Sequence, residues 1–555
     1  MTTAIHTYAA SIGTTPLSVR SDSGGSITLD AASAPHVKGA LVIARPSAAT
    51  LAALDPRNSI VPRVVVTASA GIPRTFNLHV RDLGITHLGA LVSLTLASDE
   101  GLLDDYAPLE DDRTPRQYEA SLRAVVGYVL NKAIPGATLE ASPANDANVT
   151  AYWAVTNLLA NPTVETALAP WTNGGNCSLF HASVGRTGTT SCGFNSSAAG
   201  LLAVMPHALN SGPNVTPGKS YVLAAHAQQY QASPARSIRA GIRWLNAANM
   251  PVGPDVEGAW VPMTSTDWAA RPYVIATAPP GASKAETFWR VTGSTAAGQI
   301  GYVDDAMFYE GNELIPAFNG STVASATYTY GWAGTAHASA STRTPVLERS
   351  PDALIWRAGQ TAMAFLHSLI QANGLRLVCD EQRKWTLRGE LYQAPGALTL
   401  RHAVNVIDAD EKISRGAGFW YDARVTRYKW VDLDGIPQER VDAYALTTPY
   451  TRLTLVDVDA AYPGPGRSEY AVRRAQGVGR EVTVETVSDW TARAEQPASI
   501  LLEGAPLQAA NTQSVTFDFT TDRMTISART VEIGARSINA LTGTINALTG
   551  TINNL

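Results

Sequence analysis

The chain has 555 residues, a length that predicts about three or four domains rather than a single core. Apolar residues make up 45% and charged residues 16%, with 44 Gly and 32 Pro, which favours a β-rich protein with many turns over a disordered one. The 42 Lys and Arg against 47 Asp and Glu give a net charge of −5, and without a polybasic patch this disfavours specific nucleic-acid binding.

The N-terminus lacks a basic start followed by an apolar run, so we expect no secretory signal. No run of about 18 apolar residues predicts a membrane span, and membrane insertion is not expected. A protein of this kind that works outside a cell would leave by another route, such as lysis.

The first section, 1–140, is predicted to be a β-barrel or sandwich followed by a helix. Apolar and polar residues alternate in short segments bounded by turns, at 24–33, 40–46, 63–69, 75–84 and 88–98. The segment 118–134 then predicts an amphipathic helix, whose apolar face consists of Leu122, Val125, Val126, Val129 and Leu130.

Between these elements, the stretch 99–112 contains a concentration of acidic residues. Its spacing does not match the calcium loop of an EF-hand, which needs Gly at the sixth position and Glu at the twelfth. A metal site stays open, but a solvated loop is the favoured interpretation.

The second section, 145–325, is rich in Trp, Asn, Thr and Gly. It opens with NLLANPTVETALAPW, from Asn157 to Trp171, and closes with YVDDAMF, from Tyr302 to Phe308. Both segments resemble the first and last strands of jelly-roll carbohydrate-binding modules. The resemblance implies an inserted β-sandwich that contacts glycan, and a structural calcium held by Glu165 with either Asp304 or Asp305.

Sugar rings stack their C–H faces on flat aromatic side chains, so exposed Trp and Tyr residues are the candidates for a binding platform. In this section they are Trp244, Trp260, Trp268 and Tyr273. Trp289 is a further candidate, and for each single Trp a core position between two sheets is the favoured interpretation. Trp260 and Trp268 lie in a stretch punctuated by Gly and Pro, which favours exposure.

Three cysteines occur in the chain. Cys177 and Cys192 are close in sequence and could close a hairpin-sized loop as a disulfide, or stay free, and no zinc pattern is present.

A small, polar segment at 333–352 predicts a linker. The section 353–400 predicts a helix at 360–374 followed by a β-hairpin, with a stripe of Ala364, Leu366, Leu369 and Ile370 and a stop at Gly374. Alternating segments in 401–530 predict a second β-barrel.

The tail, 531–555, repeats a seven-residue unit in SINALTGTINALTGTINNL. Its apolar residues follow a three-four alternation, at Ile538, Leu541, Ile545, Leu548, Ile552 and Leu555. This spacing is typical of a coiled coil, but the intervening Thr, Gly and Asn are weak helix formers, and a β-rich three-stranded shaft competes with it. A frayed end is the third interpretation. The first two predict an oligomerising terminus.

The order of these segments resembles the tail-tip hub, or minor tail protein, of long-tailed bacteriophages. The residues that carry the resemblance are ITLD (27–30), LDPR (54–57), RTFNLHV (74–80), LTLASDE (94–100), GLRLVCDE (374–381) and ARVTRYKW (423–430). In similar hubs, two β-barrels from each of three subunits form a ring at the tail tube. The resemblance implies a homotrimer at the virion tail tip, assembled in the host cytoplasm. Its partners would be the distal tail protein, tail tube, tape measure and host cell-wall glycan.

No H-E-x-x-H, G-x-S-x-G or nucleotide-binding loop is present, and Cys177 with His181 is the only loose nucleophile pair. We therefore expect a structural, non-enzymatic protein. Its fold class is predicted to be mainly β and multidomain, with β-barrel hub domains, an inserted jelly-roll sandwich and a few short α-helices. The alternative is a secreted bacterial carbohydrate-active enzyme or adhesin.

Overall fold

The computed structural model describes residues 6–530, except for 70–72, 89, 142–144, 200–202, 231–232, 415–419, 477–479 and 504–507. The heptad-like tail with Ile538, Leu541, Ile545, Leu548, Ile552 and Leu555 lies outside the described residues. The chain divides into two units. Unit 1 comprises the described parts of Met1–Ala151, Arg349–Trp430 and Gln438–Leu555, and unit 2 comprises Tyr152–Glu348 and Val431–Pro437.

The protein is mainly β, as the sequence predicts, and multidomain. In the first part of unit 1 the elements are β1 (Thr7–Ile12), β2 (Thr15–Leu17), β3 (Gly25–Asp30), β4 (Val37–Ala44), α1 (Ala48–Ala53), β5 (Arg63–Ser69), β6 (Arg74–Thr86), β7 (Leu91–Ala97), α2 (Glu100–Asp105) and α3 (Leu122–Ala133).

In the inserted part the elements are β8 (Val155–Asn157), β9 (Cys177–Ala182), β10 (Ser191–Ser196), β11 (Ala203–His207), β12 (Ser220–Gln229), β13 (Ser237–Leu245), β14 (Val256–Glu257), β15 (Val261–Pro262), β16 (Tyr273–Thr277), β17 (Lys284–Val291), β18 (Ile300–Glu310), β19 (Tyr328–Trp332) and β20 (Ser341–Pro345).

The remaining elements are α4 (Ala362–Ala372), β21 (Leu375–Cys379), β22 (Trp385–Gly389), β23 (Leu398–Arg401), β24 (Val406–Ile413), β25 (Ala423–Val431), β26 (Pro437–Ala445), β27 (Leu453–Asp459), α5 (Arg467–Gln476), β28 (Arg480–Val487), β29 (Pro497–Leu501), β30 (Gln508–Asp518) and β31 (Arg523–Thr530). Among the described residues, no helix has the length and apolar character needed to cross a bilayer.

Local sequence explains both predicted helices. Helix α3 begins after Ser121, whose side chain accepts a hydrogen bond from the Ala124 N–H, and it buries the five apolar residues of its predicted face. Helix α4 is capped in the same way by Thr361 and ends before Gly374, which has a positive φ. Ala364 was expected on the buried stripe of α4 but is exposed, and Phe365 is buried instead.

The two ends of unit 1 share one sheet. Within the described residues it runs in the order β2-β1-β5-β6-β7-β4-β3-β30-β31-β28-β24, and β29 with β23 extends it from β30. Strand β3 pairs with β30 antiparallel, placing Ile27 opposite Phe517. One hydrophobic core therefore contains residues from both ends of the chain. The sections 1–140 and 401–530, predicted as separate barrels, are joined in this sheet because β3 and β30 provide each other's hydrogen-bond partners.

The acidic stretch at 99–112 is not a solvated loop throughout. Asp99 is fully buried, and its carboxylate accepts hydrogen bonds from both terminal nitrogens of Arg63, at 2.6 and 2.9 Å, and from Nε of Arg383 at 3.0 Å. Burial alone would raise the pKa of Asp99, but its contacts with His79, whose Nδ1 lies 3.7 Å away, and its hydrogen bonds from Arg63 and Arg383 hold the pKa below its ordinary value. The favoured interpretation is wrong here because partners distant in sequence supply the counter-charges.

Unit 2 is a sandwich of two antiparallel sheets. One sheet has the order β16-β12-β18-β10-β9, and the other has the order β11-β17-β13-β14 with β15 also paired to β13. The core between them contains Trp171 stacked on Trp289, with ring centroids 4.9 Å apart. The segment predicted as a linker at 333–352 is partly ordered strand, because β20 pairs with both β19 and β8.

We expect Phe517→Ala to lower the free energy of unfolding by about 3–5 kcal/mol, because it removes a fully buried ring from the shared core. The Phe517 ring is stacked on Trp490 with centroids 3.9 Å apart, so urea unfolding followed by tryptophan fluorescence measures the effect. Leu453→Ala is the control, since Leu453 is about half exposed on β27 and should change stability by only about 0.5 kcal/mol. Equal losses in both variants would contradict the shared core.

Candidate functional site

Side chains from four strands and one loop line the outer face of the five-stranded sheet that contains β12 and β18. Tyr302 on β18 lies opposite Gln228 on β12 and Gly193 on β10, and Gly193 lies opposite Phe180 on β9. Residues directly opposite each other share a face, and the neighbours Ala227, Phe194 and Val303 point into the core. We call Phe180, Gly193, Tyr302, Gln228 and the adjacent Trp268 the outer-face row.

Steric contact with Phe180 explains why the row contains a glycine at position 193. A Cβ atom on Gly193 would lie 2.5 Å from the Phe180 ring, so the ring lies directly over the glycine backbone. Glycine within a strand commonly marks a close approach of this kind. Phe180 is half-buried and therefore still presents part of its ring outward.

Trp268 belongs to a segment that runs beside β12. The N–H groups of Ala227 and Gln229 donate to the carbonyls of Ala270 and Thr264, at 2.9 and 2.8 Å. The Gln228 amide nitrogen donates to the carbonyl of Ser265 at 3.3 Å. These bonds position the segment that carries Trp268.

The aromatic rings of the row lie close together. The half-buried Trp268 ring has its centroid 6.3 Å from that of Tyr302, at an interplanar angle of 44°. His226, on the same strand as Gln228, has Nδ1 3.0 Å from the Trp268 carbonyl oxygen. Tyr230, at the end of β12, is 46% exposed. Tyr302 itself is only 8% exposed, so Trp268 and Phe180 provide most of the aromatic surface that adjoins the polar side chains on this face.

The four aromatic candidates from the sequence do not form one platform. Tyr273 on β16 lies opposite Ala224 and is 45% exposed. It faces outward on the sheet that Trp268 adjoins. Trp260 belongs to the other sheet's side, where the Arg239 guanidinium lies 4.4 Å from its ring centroid. Trp244 is 2% exposed in the core, so its assignment as a sugar-contacting residue is wrong because β13 directs it inward.

Sequence reasoning missed Phe180, Tyr302 and Gln228. The signal that could have found the row was Gly193 in the middle of a strand-like segment, since such a glycine indicates a large neighbour. Which neighbour it accommodates depends on the strand register, which the sequence does not display.

The three carboxylates expected to hold calcium reach one loop, 185–190. Asp304 is buried and accepts hydrogen bonds from the N–H groups of Arg186 and Thr187, at 2.7 and 3.3 Å. Asp305 forms an ion pair with Arg186 at 2.6 Å. Glu165 accepts from the Thr189 N–H at 3.1 Å.

The calcium predicted at Glu165 with Asp304 or Asp305 stays a prediction. Among the described residues, no group of three or more His, Cys, Asp or Glu side chains is placed to hold a metal ion. Burial, and then the neighbouring charge of Asp305, raise the pKa of Asp304 above its ordinary value. The Arg186 guanidinium pairs with Asp305, while the Arg186 backbone N–H donates to Asp304.

The two cysteines of the predicted disulfide are free and buried. The register of β9 and β10 places Cys177 opposite Ser196 and Cys192 opposite His181. The disulfide prediction is therefore wrong for this structure, because the two thiols are offset along the hairpin instead of directly opposed.

No family model and no curated protein sequence matches the chain. Similar solved structures include the tail protein from Neisseria meningitidis MC58, with 8% identity over 96% of this chain and 99% of that chain, and a TM-score of 0.39. The C-terminal family 22 carbohydrate binding module of Clostridium thermocellum Xyn10B is 13% identical over 28% of this chain and 94% of that chain, with a TM-score of 0.23.

The enzymatically active domain of bacteriophage CBA120 tailspike protein 4 is 17% identical over 28% of this chain and 21% of that chain, with a TM-score of 0.22. Structural neighbours thus include a phage tail protein and a carbohydrate-binding module. Because these identities and scores are low, no function is transferred from them.

We expect Arg186→Gln to lower the free energy of unfolding by about 2 kcal/mol, because it leaves the buried Asp305 without its counter-charge while Arg186 itself is only partly buried. Lys284→Gln, whose side chain in the same unit is half-buried and makes an exposed hydrogen bond to Asn249 but no ion pair among the described residues, is the matched control. EDTA should leave the wild-type Tm unchanged in calorimetry. A lower Tm with EDTA, restored by Ca²⁺, would show instead that the calcium expected from sequence binds here.

Proposed function

We propose that unit 2 binds carbohydrate through the outer-face row. The observation that carries the proposal is the row itself, in which Phe180, Tyr302 and Trp268 adjoin the amide of Gln228 on one side of a sandwich. Flat apolar rings suit the C–H faces of a sugar, while amides bind its hydroxyls. Trp260, on the side of the other sheet, is less suited to stacking on a sugar, because Arg239 covers one face of its ring.

A hydrogen-bond acceptor lies next to the rings. Among the described residues, the side-chain carbonyl oxygen of Gln228 has no hydrogen-bond partner, while its side-chain amide nitrogen donates to the Ser265 carbonyl. An amide carbonyl can accept two hydrogen bonds. It is thus available to a sugar hydroxyl at the centre of the row, between Tyr302 and Trp268.

We further propose that the whole chain is a structural, non-enzymatic component of a phage tail tip, acting as a homotrimeric hub. The predicted partners are the distal tail protein, tail tube, tape measure and host cell-wall glycan. The segment order described from sequence and the insertion of unit 2 within unit 1 support this role. Three modules on one trimer would act together, so each site could be as weak as about millimolar.

A non-enzymatic role is also supported by the carboxylates of unit 2. Glycoside hydrolysis needs two carboxyl groups that flank the scissile bond. Asp304 and Asp305 are almost fully buried, and both are engaged by Arg186. In this arrangement they hold a loop in place.

We expect Trp268→Ala and Phe180→Ala each to weaken binding to host wall polysaccharide by about tenfold, because an aromatic ring buried against a sugar contributes about 1–2 kcal/mol. Trp260→Ala is the matched control and should bind as wild type. Pull-down of the full chain with isolated wall polysaccharide measures the change, and no soluble sugar should be released. Absence of binding, or equal losses in all three variants, would reject the site, and released sugar would favour the enzyme alternative.

The hub proposal predicts that the intact chain is a trimer. The alternating Ile and Leu of the tail need other copies to shield them from water, so truncation before Ser537 should shift the population towards monomer. Mass photometry of both chains at equal concentration measures this. An intact chain that stays monomeric would contradict the hub role and would leave the sugar site untouched.

A further inference from the structure

Unit 1 contains a cavity of about 550 Å³, a volume typical of small-molecule sites. It lies among the loop between β3 and β4, helices α4 and α5, and strands β21, β25 and β31. Its lining includes four arginines and two tyrosines, which are Arg376, Arg424, Arg474, Arg529, Tyr421 and Tyr470. This cavity is independent of the proposed sugar site, which lies in unit 2.

Four guanidinium groups line the cavity, and only one has a carboxylate partner. Arg376 forms an ion pair with Glu495. Across the part of the chain that the structure describes, Arg424, Arg474 and Arg529 have no carboxylate within ion-pair distance. Glu481 and Asp30 act on Arg529 from a distance, but these three guanidiniums are not held in ion pairs among the described residues.

Neutral groups hold two of these side chains in place. Arg474 donates to the Tyr470 hydroxyl at 2.8 Å and to the Ala31 carbonyl at 3.3 Å. Arg424 donates from Nε to the Thr426 hydroxyl at 3.0 Å. These bonds orient the guanidiniums without cancelling their charge, and each guanidinium keeps further N–H donors.

The guanidiniums are close enough to oppose one another. Burial, followed by the positive charge of Arg474, lowers the pKa of Arg376 to about 9 and that of Arg529 to about 10. Like charges brought together away from water are costly, and an anion placed between them would remove that cost.

Two carboxylates, Glu100 and Asp104, also line the cavity. Glu100 is fully buried and accepts from the N–H groups of His36 and Cys379, at 2.7 and 2.8 Å, and from the Ser98 hydroxyl at 2.5 Å. Burial raises the pKa of Glu100 to about 7 and also raises that of Asp104. Both therefore hold protons more readily than an exposed carboxyl would.

We propose that this cavity binds a phosphate-bearing ligand, recognised by the guanidiniums of Arg424, Arg474 and Arg529. The planar guanidinium fork matches the oxygens of a phosphate group. A phosphate alone would fill a small part of the cavity, and Ile370, Leu377 and the two tyrosines offer surface for an organic group. The ligand class is thus a phosphate monoester or diester.

The full chain should be titrated by calorimetry with pyrophosphate, with glycerol 3-phosphate and with a glycerophosphodiester, against sodium chloride of equal ionic strength. We expect saturable binding of at least one phosphate compound, and none of chloride. Tighter binding of the monoester identifies a free phosphate compound as the source, and tighter binding of the diester identifies a polymer such as a wall phosphodiester.

Arg474→Gln and Arg529→Gln should each weaken the binding by about tenfold, since each removes charged hydrogen-bond donors to the phosphate. Their matched controls are Arg473→Gln and Arg523→Gln, which lie on the same helix and strand but pair with Glu469 and Glu485 outside the cavity. Arg424→Gln provides a third variant if either of the first two misfolds. Absence of phosphate binding, or equal weakening in the controls, would overturn the proposal.

Discussion

The pairing of β3 with β30 is the interaction on which unit 1 depends, because it joins parts of the chain that lie on either side of the insertion. The hydroxyls of Thr28 and Thr516 hydrogen-bond across it at 3.0 Å. The Tyr8 hydroxyl donates to Asp522 at 2.8 Å and reinforces the closure. Since the entropy cost of closing a loop rises only slowly with its length, a sheet closed in this way tolerates an inserted module as large as unit 2.

In unit 2, strand alternation divides the aromatic residues between stability and binding. Trp244 and Trp289 point inward and fill the core between the sheets, where they remove a large apolar area from water. Tyr302 and Phe180 point outward on the other face, next to Trp268. A shift of one residue in the register would exchange these roles, so the proposed sugar site depends on the same hydrogen bonds that build the sandwich.

Buried charge is handled in two different ways in this protein. Asp99 and Asp305 are each matched by arginines that are distant in sequence, so their burial is compensated. Arg474 and Arg529 lie beside a cavity, and neither forms an ion pair with a carboxylate among the described residues. A net charge of −5 for the chain conceals this local excess of positive charge. The paired aspartates therefore stabilise the fold, while the arginines beside the cavity are the proposed binding site.

Local sequence determined the elements themselves. The 3.6-residue periodicity of Leu122 to Leu130 and the cap at Ser121 specify α3, and period-two alternation specifies strands such as β5 and β31. Those signals depend on neighbours a few residues apart, so the sequence displays them directly. It also favoured exposure for Trp268 through the flanking Gly and Pro residues, and it favoured burial for Trp244, which lies in a strand-like segment.

Tertiary structure decided the rest: the union of the two ends in one sheet, the offset of Cys177 from Cys192, and the inward side of Trp244. It also decided that Arg186 pairs with Asp305, and that three arginines without an ion pair among the described residues line one cavity. Each of these features depends on which strand pairs with which and in what register. Registers are set by the burial of whole faces over hundreds of residues, and no short stretch of sequence contains that information.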